Sequence, residues 1–174
     1  MKILSMNIRN FRQFYGEQSI VFSNDTQKPI TVIHGENGSG KTALLNAFKW
    51  ILYGITDFEE EGNKLLNERA QYELKIGESI IIELELTFEN ENKKYIARRI
   101  QKFRKDDRDT ISSKGGSVLK LEYKDISGEY KSSNNPDTEI QQIIPIDLHT
   151  YFFFNGERID KLANSSSSEE IKIA

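Results

Sequence analysis

Apolar and polar residues alternate along parts of the chain as they do in β-strands with one buried face. Over Ser79–Phe88, isoleucine, leucine and phenylalanine at every second position are opposed by glutamate and threonine. This period predicts an antiparallel strand with one face toward water. Tyr95–Phe103 predicts the returning strand, and Leu119–Tyr123 predicts a further strand with the same alternation. Together these stretches predict an antiparallel β-lobe over about residues 79–125.

The N-terminal part of the chain predicts three strands and one buried helix. Lys2–Arg9 and Gln18–Phe22 predict two strands, and the β-branched run Ile30–His34 predicts a short strand buried in a parallel sheet. Thr42–Tyr53 lacks glycine and proline and is apolar around most of a helical circumference. It therefore predicts a deeply buried helix, for which Gly54 suits a left-handed C-terminal stop.

Between the third strand and the helix lies the sequence Gly35-Glu36-Asn37-Gly38-Ser39-Gly40-Lys41-Thr42, which fits the phosphate-loop pattern G-x-x-x-x-G-K-[ST]. Glycines let backbone N–H groups converge on phosphate oxygens, and the helix N-terminus adds a positive dipole end. A glycine-rich turn before a core helix is the alternative, but the strand–loop–helix order favours a nucleotide site. The predicted nucleotide-binding residues are Asn37, Gly38, Ser39, Gly40, Lys41, Thr42 and Ala43.

Composition narrows the remaining possibilities. The chain has 174 residues, a net charge of −3 and no cysteine. The absence of cysteine excludes disulfides, thiolate metal sites and a cysteine nucleophile. The first residues do not form the apolar core of a signal peptide, and no apolar run approaches membrane-spanning length. We expect a cytoplasmic protein of one domain with no membrane partner.

Two groups of residues carry a family resemblance. Ile8–Arg12, the phosphate loop, and the helix residues Leu44–Phe48 and Leu52–Gly54 resemble the SMC/SbcC/RecF class of ABC-type ATPases. Within that class, Asn10–Gly16 and Tyr151–Ile159 are most similar to DNA sulfur-modification protein DndD and its relatives. The resemblance covers nearly the whole chain.

The resemblance implies an α/β fold, namely a P-loop NTPase of the ABC-type head class, of which this chain is the N-terminal lobe with an appended antiparallel β-lobe. Residues 1–163 would form that lobe, and residues 164–174 a flexible tract and the possible start of a coiled-coil helix. Implied cofactors are ATP and magnesium. Implied partners are a second ATPase head, the protein's own C-terminal lobe, and DNA.

The resemblance also implies further site residues. Arg12 would touch the nucleotide near its base or α-phosphate, while the hydroxyl of Thr42 would be a magnesium ligand. Tyr151–Phe154 predicts a strand buried on both faces, followed by Asn155 where the class has a glutamine that contacts the metal. Asn155 is one methylene shorter, and the alternative is that it caps a helix starting at Gly156.

Several elements of a complete ATPase are missing from the sequence. Neither an LSGGQ signature nor a convincing Walker B pair is present, and the run Ile143–Asp147 is interrupted by Pro145. We therefore expect ATP hydrolysis only with a C-terminal lobe, and an inactive 174-residue chain on its own. The alternatives are a non-catalytic nucleotide-gated clamp or scaffold and, less consistent with the leading strands, a phosphotransferase. Repair, DNA modification and phage defence all stay open as roles.

A basic cluster precedes and enters the polar segment 104–116, where aspartates interleave with it. One interpretation is a solvated hairpin, because acidic neighbours dilute the field. The other is a contact to DNA phosphates. The cations are Arg98, Arg99, Lys102, Arg104, Lys105 and Arg108.

Overall fold

A computed structural model describes residues 1–57, 65–124 and 128–153. In these ranges a seven-stranded antiparallel sheet has the order β2-β1-β3-β4-β6-β7, with β5 paired to β4. A short 3-10 turn, Ile146–Leu148, precedes the last helix. The elements are β1 Lys2–Phe11, β2 Phe14–Val21, α1 Lys41–Tyr53, α2 Glu68–Glu73, β3 Ser79–Asn90, β4 Lys93–Lys105, β5 Ile111–Ser113, β6 Val118–Lys124, β7 Tyr130–Ser132, α3 Pro136–Ile143 and α4 His149–Phe152.

The alternation in β3 and β6 has the predicted consequence. Ile82, Leu84 and Leu86 are fully buried, while Glu83 and Glu85 lie on the outer face of the sheet. A two-residue turn joins β3 to β4, and both turn residues, Glu91 and Asn92, have positive φ angles of 49° and 63°. Such a turn matches the twist of a hairpin. The antiparallel lobe predicted over about residues 79–125 is therefore confirmed as strands β3 to β6.

Helix α1 packs on the inner face of this sheet. Its Ala47 and Ile51 are fully buried, and Trp50 lies with its ring centroid 5.8 Å from that of Phe11 in β1. The helix ends at Gly54, where φ is 73° and the N–H donates to the carbonyl of Trp50 at 2.8 Å. The predicted buried helix and its left-handed stop are both confirmed. The inner face of the sheet thus packs against the helix that follows the phosphate loop.

The strand predicted at Ile30–His34 is wrong. The segment pairs with no strand in the described part of the chain, and the side chains of Ile30 and Val32 are 77% and 83% exposed. The physical reason is that a parallel strand needs neighbours to satisfy its backbone, and no strand of the described residues lies beside this segment. The segment follows β2 in the chain, and β2 forms one edge of the sheet.

The buried strand predicted at Tyr151–Phe154 is also wrong where the structure describes it. Helix α4 includes Tyr151 and Phe152, which are 68% and 63% exposed. Phe153 alone is buried, and its ring stacks on Phe48 of α1 at 5.9 Å between centroids. The turn at Ile146–Leu148 leads directly into helix α4, so the described aromatic residues do not form a strand. Phe154, Asn155 and residues 164–174 lie outside the described residues.

Two polar segments of the chain contain short strands. β5 falls within residues 104–116 and β7 within residues 127–137. Each is three residues long and pairs with a longer neighbour, β4 and β6 respectively. The polar composition of β5 and β7 does not predict strands, because strands at the margin of a sheet need bury little apolar surface.

Candidate nucleotide-binding site

The segment Gly35–Gly40 forms a compact loop that leads directly into α1. Gly38 and Gly40 have φ angles of 80° and 100°, conformations that side-chain-bearing residues rarely adopt. A Cβ added to Gly35 would collide with the hydroxyl of Ser39. The Ser39 N–H donates to the carbonyl of Glu36 at 3.2 Å, which closes the loop on itself. The loop therefore favours glycine at position 35 because of close packing, and at positions 38 and 40 because of the positive φ angles.

Lys41 places its ammonium group against the loop. Its Nζ donates to the carbonyl oxygens of Gly35 at 2.6 Å and Glu36 at 2.7 Å. Lys41 is nevertheless exposed, as are Asn37 and Ser39. The cation therefore lies on the solvent side of the loop, at the first residue of α1. This arrangement can receive an anion without burying the lysine first.

The N-terminus of α1 suits a phosphate and a hard cation. Its first turn contains no acidic residue, so no carboxylate competes with a bound anion for the positive end of the helix dipole. Thr42 is exposed, and its carbonyl accepts a hydrogen bond from the Asn46 side chain at 3.0 Å. Ala43 is buried and continues the helix into the core. Among the described residues no cluster of three or more histidine or carboxylate side chains could hold a metal alone.

The turn between β1 and β2 packs on the end of the phosphate loop. A Cβ built on Gly40 would lie 3.4 Å from Cζ of Phe14 and 3.5 Å from Cβ of Gln13. Arg12 begins this turn with a positive φ of 50°, an uncommon conformation for a residue with a side chain. The structure therefore brings the turn that carries Arg12 beside the loop, although the two are far apart in sequence. Phe14 was not predicted as part of the site.

Buried polar residues hold the rest of α1. Lys49 is 1% exposed, and its Nζ lies 2.5 Å from Oδ2 of Asp57. The side chain of Asn46, also buried, accepts from the Asp57 N–H at 2.5 Å. Sequence reasoning missed these residues, since a lysine in an apolar helix reads as an exposed position. The only signal was that Lys49 interrupts a helix that is apolar around most of its circumference.

Arg99 of β4 fixes the C-terminal end of α1. It is 5% exposed, and its Nε donates to the carbonyl of Ile51 at 3.0 Å. Its guanidinium also reaches Ser117 Oγ at 3.2 Å and Asp137 Oδ1 at 3.3 Å. Burial lowers the pKa of Arg99, while Asp137 opposes that shift. A positive group at a helix C-terminus complements the dipole, so this contact stabilises the helix that carries Lys41.

The basic cluster is divided by the fold. Arg99 points into the core, Arg98 pairs with Glu83 and Glu85 on the outer face, and Lys105 pairs with Asp109 at 2.7 Å. The cluster is therefore not one surface, and both interpretations of it, the solvated hairpin and the DNA contact, stay predictions. The alternation of β4 separates adjacent residues onto opposite faces.

The loop, helix and wrapping sheet define a P-loop nucleotide-binding fold of the ATPase-head type. The chain belongs to the AAA domain family, whose model matches residues 5–174. Within the described residues every helix is too short or too polar to cross a lipid bilayer.

The chain is similar to three proteins from the SbcC, Rad50 and SMC groups of ATPases. It is 24% identical over 153 residues to the SbcC component of the nuclease SbcCD from Clostridium acetobutylicum, covering 87% of this chain and 12% of that protein. It is 28% identical over 177 residues to the DNA double-strand break repair Rad50 ATPase of Pyrococcus abyssi, covering 98% and 17%. A solved structure concerned with ATP-driven dimerization and DNA-stimulated activation of SMC ATPases shares the fold, with a TM-score of 0.61 at 17% identity over 98% of this chain and 95% of that chain.

Proposed function

We propose that this chain is the nucleotide-binding lobe of an SMC/SbcC-type ATPase head that binds ATP with magnesium. The observation that carries the proposal is the phosphate loop itself, with the Lys41 ammonium 2.6 Å and 2.7 Å from two loop carbonyls at a helix start that has no acidic residue. Backbone N–H groups of residues 37–43 would hold the phosphates, and the Thr42 hydroxyl would contribute one oxygen ligand to magnesium. The remaining ligands would be phosphate oxygens and water.

In this proposal, ATP hydrolysis needs catalytic groups from outside this chain. The chain spans 12% and 17% of the two relatives that it matches. Exposed apolar side chains flank α1 on two segments, Ile30–Ile33 and Tyr151–Phe152. We propose that the protein's own C-terminal lobe covers these side chains and supplies strands beside Ile30–Ile33, since β-branched residues favour a strand when neighbouring strands are present. A second head would then complete the site in an ATP-dependent dimer.

DNA is the proposed partner, and a basic stripe on the outer face of the sheet favours it. Lys94, Lys102 and Arg104 lie on that side of β4, and Arg98 between them pairs with Glu83 and Glu85. The register places Lys124 of β6 beside Lys94, and Lys120 beside Arg98. Lys94 to Arg104 spans about 33 Å at about 3.3 Å per residue. This length is close to one turn of B-DNA, about 34–36 Å. A narrow line of cations suits a linear polyanion better than a compact one.

Whether the bound ATP is hydrolysed decides between an ATPase and the alternative, a nucleotide-gated clamp or scaffold. The test is equilibrium titration of ATP, with and without magnesium, together with turnover measured on the full-length protein. Binding with turnover supports the ATPase, and binding without turnover supports the clamp. The absence of binding would overturn both. Likeness to DndD, and a role in repair, DNA modification or phage defence, stay predictions.

A further inference from the structure

Residues 65–67 form hydrogen bonds with the turn that packs on the phosphate loop. Leu66 forms an isolated antiparallel bridge with Phe11, and the Arg12 N–H donates to the carbonyl of Leu65 at 2.8 Å. The Asn67 N–H donates to the carbonyl of Asn10 at 2.9 Å. Three consecutive residues therefore pair with the end of β1, immediately before the chain turns toward Gly40.

Asn67 makes the contact that reaches furthest into this turn. Its side chain is buried, at 6% exposure, and its Nδ2 donates to the carbonyl of Arg12 at 2.5 Å. Its Oδ1 accepts from the Ala70 N–H at 3.1 Å and caps α2. One amide thus uses its donor on the turn and its acceptor on a helix. A carboxamide carries the donor and the acceptor on separate atoms, whereas a carboxylate cannot donate.

The turn needs such restraint because its backbone is strained. Asn10 and Arg12 both have positive φ angles, 54° and 50°, and neither is glycine. Residues in this region persist only where surrounding contacts determine them. Both backbone groups of Arg12, its N–H and its carbonyl, are held by the 65–67 segment. The next residues, Gln13 and Phe14, are those that approach Gly40.

We propose that Asn67 is a positioning residue of the nucleotide site, acting through the Arg12–Phe14 turn on the phosphate loop. This inference rests on the proposed nucleotide function. Asn67 itself touches neither the loop nor Lys41. Its effect is to fix where the turn lies against Gly40, and hence the position of Arg12 beside a bound nucleotide.

The test measures the Kd of ATP with magnesium on the full-length protein. Asn67→Ser keeps a capping oxygen for α2 but is too short to donate to the Arg12 carbonyl. We expect binding about 3- to 10-fold weaker, the effect of losing one neutral hydrogen bond. Ala70→Gly is the matched control, since it weakens α2 without altering the donor to Arg12. It should leave Kd within about twofold while lowering the melting temperature.

Two further variants keep the outcomes distinct. Lys41→Ala tests the nucleotide site itself, and if it leaves Kd unchanged the proposed function fails. Arg12→Gln combined with Asn67→Ser should weaken binding by less than the product of the two single effects, since both act through one turn. If Lys41→Ala abolishes binding while Asn67→Ser weakens it no more than Ala70→Gly, or if the effects of Arg12→Gln and Asn67→Ser multiply fully, the positioning role is wrong.

Discussion

The Nε of Arg99 donates to the carbonyl oxygen of Ile51 at 3.0 Å, which ties the central strand β4 to the last turn of the phosphate-loop helix. Both residues are buried, so the hydrogen bond is screened from water. A charge-assisted bond of this kind contributes more than a neutral one. The β-lobe therefore supports the nucleotide site through a defined contact as well as through apolar packing.

Removing that contact should destabilise the fold. Arg99→Met keeps much of the apolar volume but leaves the Ile51 carbonyl without its donor, so the free energy of unfolding should fall by about 1.5–3 kcal/mol. The melting temperature should then fall by roughly 4–10 °C for a chain of this size. Arg69→Met is the control, because the Arg69–Glu73 pair is exposed and contributes little. Equal melting temperatures for both variants would contradict the prediction.

Lys41→Ala should abolish the response to nucleotide. The substitution removes the cation at the loop while leaving the glycine backbone in place. Wild-type protein at 100 times its Kd for ATP should gain about 2.7 kcal/mol, and the variant should gain almost none. Thermal melts with and without ATP and magnesium measure both. Lys28→Ala, at another exposed lysine, is the control and should keep the wild-type shift.

The 174-residue chain should bind nucleotide without hydrolysing it. Phosphate loop, lysine and threonine are present, whereas signature and Walker B residues are absent from the sequence. A phosphate-release assay on the chain alone should therefore match a Lys41→Ala blank. Substantial turnover that Lys41→Ala removes would show that the catalytic groups lie within these residues.

The basic stripe on β4 should carry salt-dependent DNA binding. Lys102→Glu combined with Arg104→Glu places repulsion at one end of the stripe, so affinity for duplex should fall. The slope of log K against log salt should decrease by about 2, near 0.9 for each phosphate that the protein no longer neutralises. The full-length protein with Lys28→Glu and Arg69→Glu has the same change in net charge and should bind as the wild type does. Equal decreases in affinity for the two double variants would indicate a net-charge effect only.

Asn155→Asp should distinguish a magnesium contact from a helix cap. An aspartate caps a helix as well as asparagine does, whereas a new charge near the metal would change the magnesium dependence of nucleotide binding. We expect the magnesium titration of the full-length protein to shift. An unchanged titration, for binding and for turnover, would assign Asn155 to the cap.

The sequence by itself determined the local elements. The phosphate loop, helix α1 with its Gly54 stop, and the alternating strands β3 and β6 all follow from residue type and period, because each depends on neighbours within a few positions. The resemblance to SMC- and SbcC-class ATPase heads also followed from these local motifs, while the finer likeness to DndD stays a prediction. The β1–β2 hairpin was foreseen with shorter strands, since pairing extends β1 to Phe11.

Tertiary structure decided which residues meet. The exposure of Ile30 and Tyr151 depends on whether another strand lies beside them, and an apolar pattern alone does not state its neighbour. The buried Lys49 and Arg99 read as surface charges until Asp57 and the Ile51 carbonyl are placed beside them. Likewise Asn67 and Arg12, 55 positions apart, form one hydrogen bond only because the fold closes that separation. Long-range pairing depends on the whole packed chain, and for that reason local sequence could not supply it.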